Sequence, residues 1–137
     1  MFALMAGVAY GGYTFLISRS AKTGITTSFG AAVLQVTAAV EGIAVVLFLY
    51  VTGQPIHVTT HGVVLAILAG LAVGTAEILS FIAYSRGLSV AVGTQITVGL
   101  SILIPVILGV VIAKESIQPI QIVAFVLIAI GVVVLLK

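Results

Sequence analysis

The chain has 137 residues, of which 62% are apolar and 6% charged, and a mean hydropathy of +1.44. A soluble domain carries about 25% charged residues, and one this small buries only about two thirds of the surface its unfolded chain exposes. These figures exclude a soluble enzyme, a disordered chain and a nucleic-acid binder working through a basic face. The net charge of +2 reflects scarce carboxylates, with no Asp at all, rather than a basic patch. Cysteine is absent, which removes disulfides, thiolate metal sites and a Cys nucleophile. The expected class is all-α, a polytopic membrane protein whose first partner is the lipid bilayer.

A helix needs about 20 mostly apolar residues to cross about 30 Å of hydrocarbon. Five segments meet that need, at residues 1–18, 28–51, 62–85, 90–113 and 118–136. The first has no basic start, and Tyr10, Gly11, Gly12 and Tyr13 interrupt its apolar run. It therefore reads as a transmembrane helix and not as a secretory signal. Polar or turn-forming breaks separate the spans at residues 19–27, 52–61, 86–89 and 114–117. Pro119 suits the first turn of the fifth span, where its missing N–H costs nothing. Barrel strands are excluded because the runs are about twice too long and do not alternate.

Lys and Arg in short loops set the orientation. The side of the N-terminus carries Lys114, whereas the other carries Arg19, Lys22, Arg86 and Lys137. The expected placement in a plasma (inner) membrane is N-terminus outside and C-terminus cytoplasmic. Helices in lipid associate through small residues that allow close approach. Candidate stripes are Gly7 with Gly11, and Ala66 with Gly70 and Gly74. The fourth span has the longest, Gly93, Thr97, Ser101, Pro105, Gly109 and Ala113. Such stripes also occur in ordinary membrane packing. Pro105 frees a backbone carbonyl inside the fourth span and is expected to kink it, as a hinge or a static bend.

Glu41 and Glu77 are the main chemical signal, each near the middle of a span. A carboxylate at that depth costs about 3 kcal/mol or more, so such groups face protein or water and mark pathways. Burial favours the neutral form of a carboxyl unless a cation or donor compensates. A carboxyl that trades its proton for a cationic solute is the physical basis of proton-coupled antiport. Thr37 lies one turn before Glu41, and Gly70, Gly74, Glu77 and Tyr84 fall on one side of the third span with Ser80 beside them. Tyr10, Tyr13 and Thr14 cluster on the first span, and Thr94, Gln95, Thr97 and Ser101 on the fourth. Tyr10 and Tyr13 can wall a pocket and hold cations against their ring faces. The substrate and proton candidates are thus Glu41, Glu77, Tyr10, Tyr13, Thr37, Tyr84 and Gln95. The competing reading has each Glu protonated and bonded to a Ser or Thr across a helix pair. Tyr50 and Tyr84, near span ends, also suit interface anchoring.

His57 and His61 are spaced for one metal ion, but without Asp or Cys nearby they read as a hydrated interfacial loop, and no metal or cofactor is expected. Phosphate-loop, nucleophile-elbow, zinc-protease and dinucleotide fingerprints are absent. An enzyme is not expected.

Residues 81–136 resemble the EamA-type repeat of the drug/metabolite transporter superfamily. Tyr84, Gly87 and Leu88 match the Tyr–x–x–(Ala/Gly)–Leu element that closes the third helix of that repeat. Pro105 and Glu115 match its proline-bearing fourth helix ending in a Glu at the membrane edge. Gln121 and Gly131 match the early Gln and late Gly of its fifth helix. Gly7, Tyr10, Gly11, Gly12 and Phe15 are similar to its first helix. Three positions depart from the pattern: Pro105 lies closer to Glu115 than usual, Ala124 stands where Gly is common, and Lys114 replaces a common Gly.

Most members have ten helices, made of two such repeats in opposite orientation, and this chain looks like one half of that architecture. The resemblance implies alternating-access transport of small metabolites or drugs, often export, around a midplane site. It also implies a cavity between the first four helices, with the fifth peripheral or at a partner interface. The related small multidrug resistance proteins carry their essential Glu in the first helix, where this chain has none. A single repeat implies a dimer, with a second copy or a related five-helix chain. The charge bias disfavours an antiparallel homodimer. It leaves a weakly fixed orientation, a partner of opposite bias, or a longer chain of which this is part. Two mid-span carboxylates, with no Lys or Arg at that depth, favour a cationic or neutral polar solute. The alternative function is a non-transporting membrane subunit that packs against and stabilises a partner.

Overall fold

A computed structural model describes residues 1–135. Leu136, which closes the fifth expected span, and Lys137, counted among the cytoplasmic basic residues, lie outside the described residues. Among the described residues the chain forms helices α1 (Phe2–Ala21), α2 (Thr27–Val51), α3 (Thr60–Ser85), α4 (Val90–Val111) and α5 (Pro119–Leu135). Helices α2, α3 and α4 are long and apolar enough to cross a membrane, and α5 is apolar but shorter. Helix α1 runs past the expected end at Ser18, through Arg19, and stops at Ala21. Helix α4 stops at Val111, short of Ala113, and continues unbroken through Pro105.

The helix boundaries have local causes. The Thr59 hydroxyl accepts the Gly62 N–H (3.2 Å) and the Ser89 hydroxyl accepts the Val92 N–H (3.3 Å), each satisfying an orphan donor at a helix start. At the start of α5 the Gln118 N–H donates to Oε1 of Gln121 (2.9 Å), one half of a capping box. Helix α2 closes with Gly53 at φ 69°, where the Gly53 N–H donates to the Tyr50 carbonyl and the Gln54 N–H to the Leu49 carbonyl. This paired closure needs a residue in the left-handed region, which glycine enters without strain. Helix α4 has no such glycine. Lys114 takes the left-handed conformation instead (φ 54°), and the Glu115 N–H reaches back to the Gly109 carbonyl (3.0 Å).

The described chain forms two compact units, Met1–Gly87 with α1 to α3, and a second that begins at Leu88 and holds α4 and α5. In the first unit α3 packs along both α1 and α2. Its buried residues are Thr14, Ile17, Ser18 and Ala21 of α1, Gly30 and Ala31 of α2, and Glu77, Phe81 and Tyr84 of α3. Gly30 is the seat for the Phe81 ring: a Cβ there would lie 2.6 Å from the ring edge. In the second unit α4 packs on α5, and Gly99 admits Val132 so closely that a Cβ would overlap it. Meanwhile Leu47, Leu68, Leu71, Ile107 and Leu127 are exposed. Polar groups inside and large aliphatic side chains outside is the pattern that lipid, not water, permits.

Candidate functional site

Glu77 is 6% exposed, on the face of α3 that also buries Phe81 and Tyr84. The Tyr13 hydroxyl of α1 donates to its Oε1 at 3.5 Å, the outer reach of a hydrogen bond. Its Oε2 is buried and has no hydrogen-bond partner among the described residues. A buried acceptor left unpartnered costs about 1–3 kcal/mol, and more when charged. The carboxyl thus carries an unmet demand in the middle of the three-helix unit.

Gln35 of α2 supplies the second polar link between helices, its side-chain amide donating to the Gly74 carbonyl at 3.2 Å. Gly74 makes that approach possible, because a Cβ at this position would stand 3.3 Å from the amide nitrogen. Gln35, Gly74 and Glu77 line an open pocket of about 360 Å³, completed by Ala38, Ala69, Gly70 and Val73. Around Gly70 there is open space, so it widens the pocket rather than holding two helices together.

A larger open groove, about 510 Å³, lies along α1 and α2 and includes Tyr13, Thr37, Ala38, Glu41 and Phe81. Tyr13 therefore faces this groove while its hydroxyl reaches Glu77. Its ring stands 5.3 Å from that of Tyr10, tilted by 39°. Glu41 is exposed, in contrast to Glu77. Thr37 spends its hydroxyl within its own helix, donating to the Val33 carbonyl (2.9 Å). Thr14, Thr75, Ser80 and Ser101 likewise donate to carbonyls three or four residues back. These hydroxyls are satisfied locally and make no claim on a ligand.

Gln95 lines a different pocket, about 190 Å³, inside the second unit, with Val98, Gly99, Ile102, Ile128, Gly131 and Val132. Gly109 meets Glu115, whose Oε2 would stand 2.9 Å from a Cβ there. The structure thus brings Tyr10, Tyr13 and Glu77 together in one unit and places Glu41 and Thr37 along the neighbouring groove. Tyr84 is buried on the same helix as Glu77. His57 and His61 are exposed, and no group of three or more His, Asp or Glu suited to a metal ion occurs among the described residues.

Sequence reasoning passed over Gln35. Its signal was available: a lone amide in the second span, where neither turn nor loop accounts for it. The seat of Phe81 on Gly30 left no such signal. Comparison with known proteins adds no relative: no family model, no curated protein and no solved structure matches the chain.

Proposed function

We propose that the chain is a five-span membrane transporter unit of the EamA type that moves a small cationic or neutral polar solute by alternating access. It works as half of a dimeric inverted-repeat assembly, with a second copy or a related five-helix chain, in a plasma (inner) membrane. Its N-terminus lies outside and its C-terminus in the cytoplasm. The observation that carries this reading is Glu77: a buried carboxyl with one unpartnered oxygen, lining an open pocket inside a helix long enough to span lipid. Packing alone gives no return for such a group, which costs several kcal/mol at membrane depth. A solute or a proton that meets its demand at one stage of a cycle gives that cost a use.

The test is flux in proteoliposomes against a panel of cations, neutral polar solutes and anions, with and without a pH gradient. The expected result is that wild type moves at least one cationic or neutral solute. Glu77→Gln should insert and stay helical, yet fall to the flux of protein-free vesicles. Unchanged flux in that variant removes the proposed role, and movement of anions alone contradicts the solute class. The subunit reading has one observation in its favour: a Cβ added at Gly7, Gly11 or Gly12 on α1 would meet nothing within 4 Å, which leaves that stretch open to another helix. It is separated by the same assay, since a packing subunit tolerates Glu77→Gln and moves nothing.

A further inference from the structure

We propose that the pocket beside Glu77 selects organic cations that carry N–H donors, primary alkylammonium ions above all, and rejects their fully methylated counterparts. The inference rests on the transport reading above and specifies the solute of that same pocket.

The donors and acceptors around Glu77 are unevenly matched. Tyr13 commits its hydroxyl to Oε1 of Glu77, and Oε2 has no hydrogen-bond partner among the described residues. Gln35 commits one amide hydrogen to the Gly74 carbonyl and directs the other toward the Glu77 carboxyl, which leaves its Oε1 as an acceptor. The remaining lining, Ala38, Ala69, Gly70 and Val73, offers short aliphatic surface and no charge. The pocket is therefore lined by two side chains that bear acceptors, one of them a carboxyl with an unmet oxygen, beside a small apolar wall. An alkylammonium ion is the complement: its N⁺–H groups meet the acceptors through charge-assisted bonds, and its chain lies on the wall.

A quaternary ammonium ion has no hydrogen to give. It is ordinarily held by aromatic ring faces, and no aromatic ring among the described residues lines this pocket. The nearby ring of Tyr13 faces the other groove. With such an ion bound, Oε2 stays unpartnered, and a site built around a hydrogen bond discriminates strongly against the analogue that cannot make it. An anion would face the carboxyl without a compensating cation.

The experiment is equilibrium binding of radiolabelled n-butylammonium to the full chain in lipid nanodiscs. Unlabelled n-butylammonium, butyltrimethylammonium and butyrate serve as competitors. The expected order places n-butylammonium at least about tenfold ahead of butyltrimethylammonium, with butyrate inert. Glu77→Gln should abolish binding, and Gln35→Leu should weaken it by about tenfold. The competitor series needs no variant, so it decides the matter even if either substitution disturbs folding. Butyltrimethylammonium binding as well as n-butylammonium, wild-type binding in a folded Glu77→Gln chain, or no ammonium binding at all would each overturn the inference. Selective binding without flux in proteoliposomes would sink the transport reading and leave the selectivity standing. Glu77-dependent flux of quaternary ions alone would do the reverse.

Discussion

The two units of this chain solve the problem of packing helices in oil differently. In the first, α3 meets its neighbours through polar groups as well as apolar ones, Glu77 with Tyr13 and Gly74 with Gln35. In the second, α4 and α5 meet through an aliphatic seam in which Gly99 receives Val132. The pocket of that seam, with Gln95 at its edge, is about half the size of the Glu77 pocket. Glycine serves both, but to opposite ends. Gly99 brings an aliphatic side chain close to a backbone, whereas Gly74 brings an amide close to a carbonyl. Small residues in a membrane helix therefore report close approach without saying of what. The partner's chemistry decides whether the result is a scaffold or a site.

Substitutions in each unit test this contrast. The largest stability effect is expected from Gly99→Leu, which drives a branched side chain into Val132. It should cost about 3 kcal/mol, read by unfolding in mixed micelles, while n-butylammonium binding at Glu77 persists. Loss of binding in a folded Gly99→Leu chain would show that the division of labour between the units is wrong. Gly30→Ala should cost about 1–2 kcal/mol, because its methyl group presses on the Phe81 ring. Here binding should weaken together with stability, since Phe81 lies one helical turn beyond Glu77. Stability lost with binding intact would separate the ring from the site. The smallest change is Lys114→Gly, expected to add about 0.5–1 kcal/mol by relieving a left-handed Lys at the end of α4. No gain in the same unfolding assay would mean that the turn is held by the Glu115 bond to Gly109 regardless of the residue at 114.

Much of the helical layout was legible in the sequence, because apolar runs interrupted by RSAKTG, TGQP and RGLS leave few alternatives. The ends were less so. Helix α1 absorbs Arg19, whose side chain is exposed and pays no burial penalty, and α4 stops early because Lys114 turns the backbone. Of the candidate site, Glu77 and Tyr13 were legible as polar groups at membrane depth. Their distinction from Glu41 was not, because two carboxyls at similar depth look alike until the neighbours of each helix are known. Gly70 and Gly74 read as one packing motif and turn out to act separately, one opening a pocket and the other admitting Gln35. The hydroxyls of Thr37, Ser80 and Ser101 read as a polar face and are spent on their own helices. Spacing along a helix gives the direction of a side chain but not whether its hydrogen bonds are already taken.

Tyr13 is the side chain through which two neighbouring spaces touch, its ring bordering the larger groove and its hydroxyl held by Glu77. A guest lodged against that ring and an ammonium seated on the carboxyl thus draw on a single phenol. Thermodynamic reciprocity then fixes the outcome: whatever factor the first imposes on the affinity of the second, the second returns to the first.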